Sequence, residues 1–101
     1  MNIGICSIRL HFPESQSLKD KRHTLKSIIS RLRNQFNISV SEVDAQDKWQ
    51  LAVIGIACVS NQNGHASDTL TQVTNFIQNN YPEVEIIHQE TEIIPVSSDT
   101  L

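Results

Sequence analysis

The chain has 101 residues, of which 39% are hydrophobic and 19% charged, and its formal net charge is −3. This size and composition predict one globular domain with a single hydrophobic core. No apolar run approaches the ~18 residues that a membrane span needs. The start of the chain has neither the basic region nor the cleavage pattern of a signal peptide, so we expect a cytoplasmic protein.

The first two elements follow from alternation and from helical spacing. Residues 2–12 alternate as a strand, with one face apolar throughout. Pro13 ends this strand because proline has no N–H to donate to a neighbouring strand. Ser17 is the expected N-cap of an amphipathic helix over residues 18–36, and Asp20 stands three residues later in a capping-box position.

The remainder of the chain predicts, in order, a strand, a polar turn, a strand apolar on both faces, a second amphipathic helix and a last strand. These elements are placed at residues 37–43, 44–48, 49–60, 66–81 and 83–95. Val43 is out of step with the alternation of its strand, which indicates a bulge. We expect residues 1–95 to form one domain and residues 96–101 to be a flexible C-terminal tail.

The element order β-α-β-β-α-β predicts a ferredoxin-like fold of the α+β class. Two crossovers interleave into a four-stranded antiparallel sheet with both helices on one face. The other face then exposes apolar residues of the strands at 2–12 and 49–60, and an exposed apolar patch of this size is typical of an interface. We therefore predict a homodimer through the open sheet face; the alternative is a monomer whose loops shield the patch.

No residue pattern indicates an enzyme. The sequence lacks a nucleophile elbow, a phosphate-binding loop and a dinucleotide fingerprint, and we predict no catalytic residue, metal or cofactor. Cys6 and Cys58 both lie in apolar strands and are expected to be buried reduced thiols. A disulfide is the alternative if their strands are neighbours.

Polar side chains of the first and last strands would meet if those strands were neighbours. His11 and His88 would then lie together, but two histidines without a third ligand make a weak metal site. Arg9 would pair with Glu90 or Glu92, which is more typical of a cross-strand ion pair than of a catalytic device.

Positive charge is confined to one half of the chain. All eight Lys and Arg residues lie within residues 1–50 together with five acids, whereas residues 51–101 carry six acids and no Lys or Arg. Such segregation predicts a basic surface that the net charge conceals.

Most of these cations lie on the first helix. At about 100° per residue, four of them share one arc beside the core stripe: Lys19, Arg22, Lys26 and Arg33. Lys21 joins them near the helix N-terminus, where positive charge is unfavourable. Stacked like charges cost a few tenths of a kcal/mol per pair, and RNA phosphates would offset that cost. We predict that these five residues bind RNA or another anion.

Two other interpretations of the cations stay open. Acids of the second half, such as Asp68, Glu83 and Glu85, would neutralise the flank through ordinary surface ion pairs. Alternatively, a protein with an acidic patch would bind it. The chain has only five aromatic residues, and we expect most of them in the core. The protein would therefore contact the RNA through the phosphate backbone and the overall shape of the RNA rather than by stacking bases on the sheet.

Acidic residues cluster around the turn that precedes Trp49. Asp side chains hydrogen-bond their own backbone in turns, which makes a structural role the plain interpretation of Glu42, Asp44 and Asp47. An interaction surface formed by Asp44, Asp47 and Trp49 is the functional interpretation, and carboxylates so placed also suit a divalent cation or acid–base chemistry. Trp49 is expected to be half-buried, and its indole N–H is expected to donate a hydrogen bond.

The most specific segments of the chain resemble the YlxP-like family of small bacterial proteins. The resemblance extends from residue 3 to residue 95 and is carried by SLKDKR (17–22), FNISV (36–40), EVD (42–44) and DKWQ (47–50). It implies a ferredoxin-like fold, in agreement with the element order. Genes of this family often stand beside genes for transcription and translation factors, including a ribosome-binding factor, which implies RNA or ribosome binding. The family brings no catalytic residues.

Together these features predict a non-enzymatic, cytoplasmic binding module that contacts ribosomal or other structured RNA through the basic flank of the first helix. The alternative is a dimeric protein-interaction module that docks a translation-associated factor through the open sheet face or the acidic turn. Neither function involves a membrane or a small-molecule substrate.

Overall fold

The computed structural model describes residues 1–62 and 64–97, and its elements follow the order β1-α1-β2-β3-α2-β4. The strands are β1 (Asn2–His11), β2 (Ser39–Asp44), β3 (Leu51–Ser60) and β4 (Glu85–Pro95), and the helices are α1 (Leu18–Gln35) and α2 (His65–Asn80). Each element lies within two residues of its predicted bounds.

The four strands form one antiparallel sheet in the order β2-β3-β1-β4. This is the arrangement of a ferredoxin-like α+β sandwich, and the predicted fold is confirmed. The register of β2 with β3 shifts between Glu42 and Asp44, so the bulge predicted at Val43 is present.

Both helices cover the same face of the sheet. The buried side chains of β1 and β3 alternate along each strand and pack against both helices, and they are Cys6, Ile8, Leu10, Ala52, Ile54, Ile56 and Cys58. The intervening residues of these strands are half-buried or exposed. We call their side of the sheet the open sheet face.

The predicted start of α1 is present in detail. Ser17 is the N-cap, and its Oγ accepts a hydrogen bond of 3.0 Å from the Asp20 N–H. The Asp20 carboxylate in turn accepts the Gln16 N–H at 3.0 Å. This reciprocal pair satisfies two backbone donors at the helix start. At the start of α2, Gly64 is the N-cap with a φ of 82°, a left-handed conformation that glycine adopts without strain.

The two cysteines are free and buried. Cys6 lies opposite Ile56 and Cys58 lies opposite Gly4, so the thiols are staggered along neighbouring strands. Burial raises the pKa of the Cys58 thiol above its ordinary value, and a backbone hydrogen bond involving Gly4 opposes that shift. Both cysteines therefore act as small core hydrophobes.

His11 and His88 do not meet. A bulge between Arg9 and Leu10 shifts the register of β1 with β4, so His11 lies opposite Glu85. Its Nδ1 is 3.6 Å from the Glu85 carboxylate. The expectation that the two histidines would adjoin is wrong, because the register sets His88 opposite Arg9 and the bulge moves the partner of His11 one residue further away.

Arg9 does not form the expected cross-strand ion pair. It lies opposite His88, while Glu92 lies opposite Ile5. The Glu90 carboxylate contacts His88 Nε2 at 3.1 Å instead. Within the described part of the chain, Arg9 therefore remains an unpaired cation on the open sheet face.

The C-terminal segment begins differently from the predicted tail. Val96 forms two backbone hydrogen bonds with Met1, of 2.7 and 3.0 Å, and so extends the pairing of β1 with β4. Residues 98–101 of the predicted tail lie outside the described residues. Neither α1 nor α2 is long and apolar enough to cross a membrane.

Candidate nucleic-acid interface

Lys21 is buried in the core and cannot bind an anion at the surface. Its side chain is 0% exposed. Its Nζ donates to the Glu42 carboxylate at 3.1 Å, to the Ala45 carbonyl at 2.9 Å and to the Leu51 carbonyl at 3.0 Å. Because an ammonium has three donors, all of them are used. The prediction that Lys21 binds RNA or another anion is wrong.

The spacing of α1 contained the signal for this burial. Lys21 precedes Leu25, Ile28 and Leu32 by four, seven and eleven residues, which places all four on one face of a helix. All four are buried. The charge of Lys21 groups it with its exposed neighbours in sequence, whereas the helical period assigns it to the core.

Three of the predicted cations line one groove between α1 and β2. This groove, which we call the basic groove, has a volume of about 730 Å³ and is lined by Arg22, Lys26 and Arg33 on α1 and by Ser41 and Glu42 on β2. The spacing of the three cations along α1 keeps them on one flank over three turns.

The cations of the basic groove have no acidic partner in the described chain. The ion pairs and histidine–carboxylate contacts of residues 1–62 and 64–97 are Lys21–Glu42, His11–Glu85 and His88–Glu90. The predicted alternative, in which Asp68, Glu83 or Glu85 neutralises this flank, is therefore absent within that part of the chain.

The groove keeps its positive character for two structural reasons. Glu42 is the carboxylate in the groove lining, and Lys21 neutralises it from the core side. Arg33 donates from Nη2 to the Val40 carbonyl at 2.8 Å, which fixes its guanidinium against β2 while leaving its charge unpaired. A polyanion would meet Arg22 and Lys26 as exposed, unpaired cations.

Lys19 lies outside the basic groove. It lines a separate cavity of about 490 Å³ together with three acids, Glu14, Asp20 and Glu83. Those carboxylates make the surroundings of Lys19 acidic on balance. The structure thus brings together three of the five predicted cations and separates Lys19 from them.

Asp44, Asp47 and Trp49 lie on or beside an exposed loop that joins β2 to β3. Asp44 Oδ1 accepts the Ala45 N–H at 2.7 Å, and the Lys48 N–H bonds the Ala45 carbonyl at 3.0 Å. Asp44 thus has the local turn role that its residue type predicts. We call residues 45–50 the Trp49 loop.

Lys21 holds the two ends of the Trp49 loop. The ammonium bonds the carbonyl of Ala45 at its start and that of Leu51 directly after its end. Ala45 has a φ of 62°, a left-handed conformation that is uncommon for alanine. Trp49 is 49% exposed, close to the half-buried state that we expected. No group of three or more metal-ligating side chains occurs among the described residues.

The open sheet face presents no aromatic ring from β1 or β3. Its β1 residues are Ile3, Ile5, Ser7, Arg9 and His11, and its β3 residues are Leu51, Val53, Gly55, Ala57 and Val59. Sheet surfaces that bind RNA bases stack them on Phe or Tyr. The basic groove is therefore the better candidate for contact with a nucleic acid.

The fold and the groove define a class of protein, a small ferredoxin-like α+β domain with a basic groove beside its first helix. A family model described as "Protein of unknown function (DUF503)" matches residues 3–91, and the chain belongs to this family. The chain is 39% identical over 90 residues to "Uncharacterized protein YlxP" of Bacillus subtilis (strain 168), which covers 89% of this chain and 97% of that protein.

Solved structures support the fold. A de novo designed protein with a ferredoxin fold has a TM-score of 0.55 at 11% identity, and the match covers 97% of this chain and 89% of that one. A C-terminal segment of the alpha subunit of aIF2 from Pyrococcus abyssi has a TM-score of 0.52 at 12% identity, over 96% of this chain and 52% of that one. At these identities the likeness concerns the fold alone.

Proposed function

We propose that this protein is a non-enzymatic RNA-binding module whose basic groove contacts the phosphates of a structured RNA. The observation that supports this proposal is the set of three cations that share one groove without an acidic partner in the described chain: Arg22, Lys26 and Arg33. A duplex or folded RNA presents phosphates along both edges of its grooves, so a short row of cations suits it. We place this activity in the cytoplasm, on or near the ribosome.

The test is RNA binding as a function of salt. Arg22→Glu/Lys26→Glu should raise the dissociation constant for a fluorescently labelled RNA hairpin by about tenfold or more, because two phosphate contacts become repulsive. The slope of log K against log salt should fall by about 1 for each cation removed. Arg22 and Lys26 are exposed, so the variant should fold as the natural chain does.

A matched control separates the groove from net charge. Lys26→Glu and Lys48→Glu change the net charge equally, and both side chains are exposed. Lys48 lies in the Trp49 loop, away from the residues that line the groove. Only Lys26→Glu should weaken binding. Equal losses in both variants, or an unchanged slope in the double variant, would overturn the proposal.

A second candidate function is protein binding through the Trp49 loop. The observation that favours it is that Lys21 anchors both ends of a loop whose Asp47 and Trp49 are exposed. An exposed tryptophan beside carboxylates suits a basic protein surface. Trp49 is the single tryptophan of the chain, so its fluorescence separates the two candidates. RNA in the groove should leave its emission unchanged, whereas RNA-free ribosomal proteins docking on the loop should shift it to the blue.

A further inference from the structure

The open sheet face carries its residues in rows that run across the strands. The register of β1 with β3 and β4 defines five rows, which are Ile94–Ile3–Val59, Glu92–Ile5–Ala57, Glu90–Ser7–Gly55, His88–Arg9–Val53 and Glu85–His11–Leu51. The first row is apolar, the second carries an acid, the third combines small residues with a second acid, Glu90, at its β4 end, and the fourth carries a base. An acid and a base therefore lie on opposite sides of the row of Ser7 and Gly55.

The outer part of this face is too apolar to be left in water without a partner. Ile5 is 37% exposed, Ile94 38% and Val59 64%, and the three lie in adjoining rows. Contiguous exposed apolar residues of this kind are typical of an interface. A cavity of about 630 Å³ lies over the middle of the face, where Ser7, Gly55 and other small residues leave space.

We propose that a second copy of this chain covers the open sheet face, with its two-fold axis across the strands at the row of Ser7 and Gly55. The charges of the face favour a second copy as the partner, because the base of each copy can pair with the acid of the other. Arg9 lies one row to one side of the axis and Glu92 one row to the other. A two-fold rotation therefore places each Arg9 over the row that contains the partner's Glu92.

The alternative two-fold axis, parallel to the strands, does not pair these charges. It would place β1 of one copy over β3 of the other and keep each row over itself, so that Arg9 would meet Val53 in a row that contains no acid. The axis across the strands also lets the two β1 strands overlap along their whole length. It places Leu51 at one end of β3 over Val59 at the other end of the partner copy's β3.

The size of the face is sufficient for such a dimer. Three strands of ten or eleven residues and one of six, about 4.8 Å apart and at about 3.3 Å per residue, give a face of roughly 600 Å² on each copy. That value approaches the ~800 Å² per partner of a standard protein interface. The three cations of the basic groove lie on α1, away from this face, so the dimer does not depend on the proposed RNA binding.

The first measurement is the molar mass of the natural chain. Light scattering and sedimentation velocity at micromolar to hundred-micromolar concentration should give twice the 11.4 kDa of one chain. A mass of 11.4 kDa over this whole range would overturn the proposal. So would a monomer in which labelled RNA or RNA-free ribosomal protein protects β1 and β3 from hydrogen exchange, since the face would then have another occupant.

The charge pairing is tested by reversal and exchange. Arg9→Glu and Glu92→Arg should each raise the dimer dissociation constant by about tenfold, because each dimer contains the pair twice. Arg9→Glu/Glu92→Arg should return it to within about threefold of the natural value. Two weakened single variants without recovery in the double variant would reject this axis.

Two further variants complete the test. Glu90 lies on the axis row and would face its own copy at the edge of the sheet, so Glu90→Gln should tighten the dimer about threefold. Lys26→Glu, which lies in the basic groove, should leave the dimer unchanged while it weakens RNA binding. A looser dimer in Glu90→Gln would contradict the axis, and a loss of dimer in Lys26→Glu would contradict the choice of face.

Discussion

The buried lysine of α1 is the residue on which the site and the fold depend together. An ammonium in a protein interior is unfavourable unless its charge and its donors are satisfied. Lys21 satisfies both conditions, because one of its partners is the Glu42 carboxylate and two are backbone carbonyls. It therefore joins α1 to β2 and to the first residue of β3. The same contact neutralises the acid nearest to the basic groove.

We expect Lys21→Met to destabilise the protein by about 3 kcal/mol, because it leaves a carboxylate and two carbonyls without their donor. The value lies at the lower end of the range for a broken buried pair, since the Glu42 side chain is 21% exposed and regains some water. Urea unfolding followed by circular dichroism measures this change.

The matched variant at the partner identifies the cause. Lys21→Met/Glu42→Met removes both charges, so it should cost less than the sum of its two single variants. Additive losses would mean that the backbone carbonyls of Ala45 and Leu51, and not the ion pair, account for the stability that Lys21 contributes.

At the scale of elements, alternation and helical spacing were sufficient to place every strand and helix. They succeed because one sheet face and one stripe of each helix are buried, and burial imposes its period on the sequence. Register is different, because it depends on contacts between distant segments. The register pairs His88 with Arg9 rather than with His11, and the bulge beside Arg9 adds a further residue of offset; nothing in β1 or β4 taken alone indicates either.

The same distinction between local spacing and distant contacts explains why the sequence predicts only part of the site. The arc that contains Arg22, Lys26 and Arg33 is a property of one helix, so spacing reveals it. Asp20 and Glu14 are near Lys19 in sequence, but Glu83 is brought beside it by the fold alone, which sequence spacing cannot reveal. Lys21 was missed although its period was visible, because its charge was given more weight than its position.

The close packing of α2 against β1 leads to a prediction about Gly4. A methyl group on Gly4 would lie 3.1 Å from Cys58 Sγ, 3.2 Å from Ala66 Cβ and 3.2 Å from Leu70 Cδ1. Two of these atoms belong to α2, so the helix would have to move outward. We expect Gly4→Ala to reduce the free energy of unfolding by about 1–3 kcal/mol, as other overpacked cores do.

A second variant tests whether the close approach of α2 is the cause. Gly4→Ala/Ala66→Gly returns space at the contact, so it should be less destabilised than the sum of the two single variants by urea unfolding. Glycine at position 66 has its own cost of about 1 kcal/mol in a helix. If the two losses of unfolding free energy simply add, the methyl group of Gly4→Ala is strained against Cys58 in the neighbouring strand and not against α2.

At the scale of the whole molecule, the segregation of charge has a structural meaning. Three of the eight cations of residues 1–50 line the basic groove of α1, while acids of the second half, Glu90 and Glu92, lie on β4 at the far edge of the sheet. The net charge of −3 averages two surfaces that differ in charge and position. We propose RNA as the partner of the first surface and a second copy of the chain as the partner of the other.

The two proposals together make a prediction about salt dependence. A two-fold axis across the strands keeps β2 of one copy over β2 of the other, so both basic grooves lie along the same edge of the dimer, separated by two sheets about 10 Å apart. One structured RNA can then contact both grooves, and the second contact is effectively intramolecular. Because the salt slope counts the phosphates that are neutralised, the dimer should show about twice the slope of a monomer.

Arg9→Glu provides the monomer for this comparison, and Arg9→Glu/Glu92→Arg restores the dimer with both grooves intact. At a protein concentration between the dimer dissociation constants of the natural chain and of Arg9→Glu, the salt slope for a labelled RNA hairpin should fall by about half in the single variant and recover in the double variant. Affinity should follow the slope, because the second groove contributes through proximity rather than through new contacts. A slope that is equal in monomer and dimer would mean that each groove binds its own RNA, and the two surfaces would then act independently.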